Sequence, residues 1–461
     1  MYFGFVRHFL NLSIEMSTLI AHLYEIDNKI SLKTRKIPLI KNRGYIMGLG
    51  PSIKMTTLHH FRCPVTKLLS NDEDIEFTGI IVDGVSEVCD DKIYTTKRVG
   101  DIARMLRADG AIVAIDGWGN HHIDFVNVIE QLGIRGIPSV GLSYIGLQGR
   151  LVCTNNFVDC VVDFNKSESG YESCVVGQNN LTDYDAMKAI ALLKNKLKKY
   201  GKPVKKDPSV KEKRLSKLTR KVFHIDKIEF SDKTAIEKGI LYIQKDIATK
   251  YLESEPLLKE VNVNIIAPGD HDRFVNSNLD FSPIACKVVG ELGEGTTHLL
   301  GGVTLMLTGV EDESGFQPSN IGSSEGILKE QFTPDRAGTP ASSDYILHVD
   351  VLFKNGEGRT SEGLYAAHKI ADKIVEDIRK VLKHLENMPY KREEFYDYSR
   401  PDRLKIIQVK IVSGLGNMYD TAMFPNEPGG VIGAHNMMDS KNLPYLITPN
   451  QCRDGVIHSL L

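Results

Sequence analysis

The stretch "DGAIVAIDGWGNHHIDFVNVIEQLGIRGIPSVGLS", residues 109–143, decides the fold class. Its "AIVAI" (111–115) is an unbroken apolar run ending at Asp-Gly, the pattern of a strand buried on both faces. "IDFVNVIEQLG" then spaces its apolar residues as a helix closed at Gly133, and "IPSVGLS" (137–143) returns to strand. Upstream, "FTGIIVDG" and "VGDIARMLRADG" give another strand and helix, with Val99, Ile102, Met105 and Leu106 at helical spacing before Gly110. Downstream, "DCVVDF" and "DYDAMKAIALLKNKLKK" repeat the pair. Strands alternating with helices of this length predict an α/β fold with a doubly wound parallel sheet and right-handed crossovers.

Such sheets bind ligands beyond the carboxyl ends of their strands. "DGWGNHHID" (116–124) leaves one of those ends and carries the only tryptophan, Trp118, with Asn120, His121, His122 and Asp124 where a helix begins. Amides at a helix start attract anions and imidazoles exchange protons, so this loop is a credible floor for a small anionic or zwitterionic ligand. The plainer account makes Asp116 and Asn120 turn and capping residues and leaves the histidines solvated. No metal is expected, because adjacent histidines seldom converge on one ion and no third ligand stands at a recognisable spacing. A second dense segment is "MGLGPSIKMTTLHHFRCPV" (47–65), which crowds Lys54, His59, His60, Arg62 and Cys63 together behind an internal methionine.

The 461 residues, 42% hydrophobic and 25% charged, suffice for two or three ordinary domains. A net charge of −2 provides no global field toward nucleic acid or a membrane, and neither is expected as a partner. The cysteines, at 63, 89, 153, 160, 174, 286 and 452, are odd in number and contain no CxxC pair. That disfavours a disulfide framework and a thiolate zinc site, and fits a reducing cytoplasm. Residues 1–46 hold a short apolar patch broken by Arg7, His8 and Glu15, well short of the roughly 20 residues of a spanning helix. Without a small-residue cleavage site they read as an extension or a misassigned start. Residues 47–200 are expected to form the α/β domain.

Residues 201–221 read as a basic linker containing Pro203 and Pro208, with a nucleic-acid or partner patch as the other possibility. Residues 222–461 read as a second, mixed α/β domain. Its strand-like runs include "VNVNIIAPGD", "LLGGVTLMLTGV" and "SSDYILHVDVLF", and its best helix is "SEGLYAAHKIADKIVEDIRKVLKHLEN" (361–387). The irregular "GSSEGILKEQFTPDRAGTP" (322–340) is long enough to be functional or interfacial. No phosphate-binding glycine motif follows a strand, and there is no GxSxG elbow.

Two groups of phrases resemble a known family. "GPSIKMTTLHHFRCP", "DGAIVAIDGWGNHHIDFVNVIEQLGIRGIP" and "VVDFNKSESG" with "VVGQNN" are similar to the post-cleavage half of the D-proline reductase proprotein and glycine/sarcosine/betaine reductase component B precursor family. "IEFSDKTAIEKGILYI", "NIIAPGDH", "GSSEGILKEQFTPDRAGTP" and "GLGNMYDTAMFPNEPGG" with "LPYLITPNQCRDG" are similar to the pre-cleavage half. In the family the second group precedes the first. Here the order is exchanged, and the chain resembles a fusion of the two small stand-alone paralogues of that system.

The resemblance implies an oxidoreductase setting: reductive ring opening of D-proline to 5-aminovalerate in anaerobic Stickland fermentation, with a disulfide as acceptor. It implies a precursor cut before a cysteine that becomes a pyruvoyl group, an imine between that carbonyl and the substrate amine, and attack by a selenocysteine on a separate subunit. The matching position here is about Gly48, and glycine has no β heteroatom to eliminate. The expectation is therefore no cofactor in this chain and an open question whether it is an enzyme. The implied substrate-binding residues are Ser52, Lys54, His59, His60, Arg62, Trp118, Asn120, His121, His122, Arg453 and Asp454. The implied partners are the D-proline reductase subunits, including the selenoprotein, a small amino-acid ligand, and a second copy of the chain. The alternatives are a silent paralogue that matures or stabilises the reductase, and an amine-binding sensor. If the halves are exchanged, "QCRDG" (451–455) should approach "GPSIK" (50–54) beside "WGNHH" (118–122).

Overall fold

Five parallel strands form the sheet that the first half of the chain announces, in the order Ile75–Gly84, Leu404–Val412, Gly110–Ile115, Ser139–Ser143 and Val161–Asp163. Tyr445–Ile447 adds an antiparallel edge beside Ile75–Gly84. The structure is a computed structural model; it describes residues 56–458 apart from 85–88, 116–120, 144, 146–150, 167–174, 205–206, 208, 312–325, 359–360, 413–422, 425–430 and 433–443. Side chains alternate across the sheet. Ile81, Val113, Ile115, Val409 and Ile411 face a core shared with Phe125 and Val128 of the His121–Ile134 helix and Val99 of the Cys89–Met105 helix. A Cβ at Gly141 would lie 2.5 Å from Phe125 Cζ, so that helix reaches the sheet only over a glycine. On the other face a Cβ at Gly110 would meet Leu193 and Leu197 of the Asp183–Lys199 helix. A capping box of Thr182 and Asp185 starts that helix.

The expected boundary does not separate two sheets. Leu404–Val412, assigned by sequence to the second domain, lies between Ile75–Gly84 and Gly110–Ile115. Nor is 201–221 all linker, because Lys213–His224 is a strand flanked by Gly295–Gly301 and Lys391–Ser399. Two of its basic residues turn outward over aromatic and acidic neighbours, Arg214 3.9 Å from the Tyr396 ring centre and Lys217 Nζ 2.8 Å from Glu394, while Arg220 turns inward to Glu393 and Arg453 O. A basic run can thus be a strand with one wet face.

The second half also holds a three-stranded sheet, Lys227–Ser231, Ile240–Gln244 and Ala235–Glu237, and a four-stranded sheet, Ser277–Ser282, Val303–Glu311, Tyr345–Phe353 and Leu258–Ile266, whose core the Ser361–Lys383 helix shares. The amphipathic period of that helix puts Ala367, Ile370, Ile374 and Ile378 fully inside. A further core joins Leu58 and Phe61 of the dense 47–65 segment to Phe281, Met306, Ile346 and Val456. No helix among the described residues is long and apolar enough to cross a membrane.

Candidate functional site

Two polar clusters flank the carboxyl end of the parallel sheet. The first begins with Thr56, whose hydroxyl caps the Thr57–Phe61 helix and donates to Gly338 O at 2.7 Å. Thr57 clamps the same turn to buried Asp280, donating from its amide at 2.9 Å and its hydroxyl at 2.6 Å. These anchors bury His59 and His60, whose rings meet edge to face at 6.0 Å. Gly338 sits against them: a Cβ there would fall 2.3 Å from Asn180 Nδ2 and 3.0 Å from His59 Cβ. Both ring nitrogens of His59 and both amide atoms of Asn180 are buried without a hydrogen-bond partner among the described residues. Buried polar atoms are rarely left so, and these border one point.

The opposite wall comes from the central strand. Gln408 and Lys410 project from Leu404–Val412 to the face bearing the Pro64–Asn71 helix and are buried. Gln408 accepts from the Thr66 hydroxyl at 2.8 Å and donates to Cys63 Sγ at 3.4 Å. Lys410 Nζ lies 3.5 Å from both His60 Nδ1 and Cys452 Sγ. Burial and the Lys410 ammonium push His59 down to about 3, so its imidazole is neutral. Burial lowers the affinity of Lys410 for its proton, but the neighbouring Cys452 and Cys63 outweigh it and hold the ammonium charged.

The second cluster lies on the other face. Asp83 ends the Ile75–Gly84 strand with both carboxylate oxygens buried and unpartnered among the described residues. Burial and nearby Asp124 hold its carboxyl well above the usual range. Asp124 forms a fully buried ion pair with Lys92. His122 Nε2 shares a hydrogen bond with Ser143 Oγ at 2.9 Å. His121 is pushed down to about 3 by burial, Lys92 and His122. The cluster therefore holds a carboxyl raised by burial, a neutral imidazole and a closed ion pair at adjoining strand ends.

Of the residues named from sequence, His59, His60 and Arg62 join the first cluster or its rim; Arg62 donates to Thr339 O at 3.4 Å. His121 and His122 join the second. Arg453 and Asp454 follow Cys452, so "QCRDG" packs against "LHHFRCP", where the Cys452 thiol donates to His60 O at 3.3 Å. Their own polar groups are engaged by protein. Arg453 donates to Thr66 O at 3.1 Å and to Ser70, and buried Asp454 accepts from Lys287 at 2.5 Å, Gly293 N at 2.6 Å and Thr297. Ser52, Lys54, Trp118 and Asn120 lie outside the described residues. Sequence reading missed Asp83, Asn180, Gln408, Lys410 and Cys452; the signal available was a glutamine and a lysine breaking the apolar run "KIIQVKIV". Among the described residues no three His, Cys, Asp or Glu side chains converge as a metal site.

Comparison with known proteins bears on both halves. Residues 47–162 and 216–324 match the family of glycine/sarcosine/betaine reductase component B subunits. The D-proline reductase proprotein of Acetoanaerobium sticklandii is 35% identical over 255 residues, 55% of this chain and 40% of that protein. The glycine reductase complex component B subunits alpha and beta of the same organism are 25% identical over 254 residues, 51% of this chain and 54% of theirs. The sarcosine reductase complex component B subunit alpha of Peptoclostridium acidaminophilum is 24% identical over 258 residues, 52% of this chain and 54% of its own length. The chain thus spans about half, or less, of the length of these relatives. No solved structure matches it.

Proposed function

We propose that this chain, similar as it is to the glycine/sarcosine/betaine reductase component B subunits, serves a D-proline-type reductase system as a ligand-binding paralogue without a pyruvoyl group of its own. The observation that carries this reading is the open hydrogen-bonding capacity of His59 and Asn180 around Gly338, beside the charged Lys410. A neutral imidazole and a carboxamide offer donors and acceptors to an amino group, and the ammonium suits a carboxylate. A small amino acid such as proline has that pair of groups.

Glycine at position 48 supports the absence of a pyruvoyl group, because dehydration or thiol elimination needs a heteroatom on Cβ. A glycine at this position does not fit that prosthetic group. With recognition groups kept and the electrophile lost, a role in assembling, maturing or stabilising the true reductase subunits follows, with the selenoprotein component among the partners. The exchanged order of the halves fits a fused pair of paralogues. A cytoplasmic place in anaerobic amino-acid fermentation goes with that role.

Intact mass of the purified chain, with and without hydroxylamine, tests the missing carbonyl; the expected result is one unsplit species with no adduct. Titration calorimetry with D-proline, L-proline, glycine and betaine tests the ligand site, with binding expected for a cyclic or primary amino acid and lost in His59→Leu. A hydroxylamine adduct would refute the first part, and no binding by any of the four would refute the second. Co-expression with the reductase subunits should yield a complex on affinity capture; their failure to co-purify would remove the assembly role.

A further inference from the structure

The cysteines at 63 and 452 stand near opposite ends of the chain, yet both donate to one carbonyl, His60 O, beside the buried Lys410 ammonium. Cys63 sits between the Thr57–Phe61 and Pro64–Asn71 helices, where Gln408 Nε2 donates to its sulfur at 3.4 Å. Cys452 belongs to the Pro449–Arg453 helix, receives Lys410 Nζ at 3.5 Å and donates to His60 O at 3.3 Å. Cys63 N donates at 3.4 Å to the same His60 O that the Cys452 thiol reaches, which sets the two cysteines side by side. All three side chains are buried, with exposures of 4% for Cys63, 1% for Cys452 and 5% for Lys410. No acidic side chain is hydrogen-bonded to Lys410 among the described residues; the groups facing it are the two thiols, His60 and, further off, His59.

We propose that Cys63 and Cys452 form a dithiol centre, with Lys410 as its counter-ion, that reduces low-molecular-weight disulfides. Two neutral thiols would leave the buried ammonium without a counter-charge, and one thiolate supplies it. The two cysteines are also unequal. Burial raises the Cys63 thiol, but Lys410 and the hydrogen bonds of Gln408 and Thr66 outweigh it and bring it below the ordinary value, whereas burial keeps Cys452 above its own. This is the asymmetry of an attacking and a resolving thiol.

In the first step the Cys63 thiolate attacks one sulfur of the external disulfide, forming a mixed disulfide and expelling one external thiolate. In the second, Cys452 gives up its proton and its sulfur attacks Cys63 Sγ, closing the Cys63–Cys452 disulfide and expelling the second thiolate. Two protein thiols are oxidised, one external disulfide is reduced to two thiols, and Lys410 stays an ammonium throughout. The inference is independent of which amino acid the chain binds.

The test uses the full chain, reduced and desalted, then held with oxidised glutathione without oxygen, acid-quenched, alkylated and digested with trypsin. The expected product joins the peptide beginning at Cys63 to the peptide ending at Arg453, and it vanishes in both Cys63→Ser and Cys452→Ser. In Cys452→Ser, Cys63 should stop as its glutathione adduct. Lys410→Met should slow adduct formation at Cys63 at pH 7 by about fivefold to tenfold, the thiolate fraction lost less the compensating gain in nucleophilicity. Lys410→Arg keeps the charge and should hold the rate within about twofold of wild type. Exposed Cys89 serves as the internal control for reagent. The proposal is overturned if Cys89 takes up glutathione while Cys63 and Cys452 stay reduced, or if either pairs with another cysteine. The wild-type mapping decides even if a lysine variant does not fold.

Discussion

Replacing Asp454 tests whether the "QCRDG" segment holds the two ends of the chain together. Its carboxylate is fully buried, with Oδ2 accepting from Lys287 Nζ at 2.5 Å and Gly293 N at 2.6 Å and Oδ1 from the Thr297 hydroxyl. Asp454→Ala strands a Lys287 ammonium that is only 16% exposed, together with an amide and a hydroxyl. Breaking a buried pair by removing one partner costs about 3–5 kcal/mol. Asp454→Asn can still accept from Lys287 and Gly293 while its NH2 donates to a rotated Thr297 hydroxyl, so it loses charge but few bonds, about 1.5–2 kcal/mol. Unfolding entropy of about 2.1 cal/mol/K per residue over about 400 residues converts these to Tm losses of about 4–6 °C and about 2 °C.

Burial holds Lys287 below its ordinary pKa, and Asp454 partly restores it. Without Asp454 the folded-state pKa falls further below the unfolded one. The unfolded chain then binds more protons, and stability rises with pH in that window. The gap between Asp454→Ala and wild type should therefore narrow as pH rises from about 6 to about 9. Differential scanning calorimetry across that range is the assay. An alanine variant within about 1 °C of wild type, or a gap that widens with pH, would refute the reasoning.

His59→Leu and Asn180→Leu each remove buried atoms that lack partners, so each should raise thermal stability or leave it unchanged, while abolishing any amino-acid heat in calorimetry. Burial raises Asp397 to about 6, above its unfolded value, so its contribution is full below about pH 4 and lost as pH rises through 6. Asp397→Asn should flatten the stability profile over that interval, as measured by urea unfolding. Gly141→Ala drives a methyl to 2.5 Å from Phe125 Cζ and should cost about 1–3 kcal/mol by the same method.

The sheet was legible where hydrophobic period and length agreed. "AIVAI" lies within Gly110–Ile115, "IPSVGLS" contains Ser139–Ser143, and the helix expected over 361–387 runs Ser361–Lys383. Partnership was not legible. "LKIIQVKIVSG" declares a strand, but nothing in its alternation shows that Gln408 and Lys410 are buried; they are so because Thr66, His60 and two cysteines from distant segments meet them. The candidate site was visible as the paired histidines near 59 and 121. The structure puts those pairs in separate clusters and adds Asn180 and Asp83, whose open hydrogen bonds follow from packing rather than from any local motif. Arg453 and Asp454 were named as ligand groups only through the resemblance; here protein donors and acceptors use them up.

The position of Leu404–Val412 bears on how the chain is made. A ribosome delivers Ile75–Gly84 and Gly110–Ile115 early, but the strand that hydrogen-bonds to both is about 290 residues behind. At about 5–20 residues per second the vacancy between them lasts about 15–60 s. During that time two apolar strand edges stand open at the centre of the sheet, where an intruding strand from another nascent chain would pair just as well. The completed protein has little tolerance for truncation: a chain stopped anywhere before residue 412 carries most of its sequence, yet leaves its first sheet in two pieces.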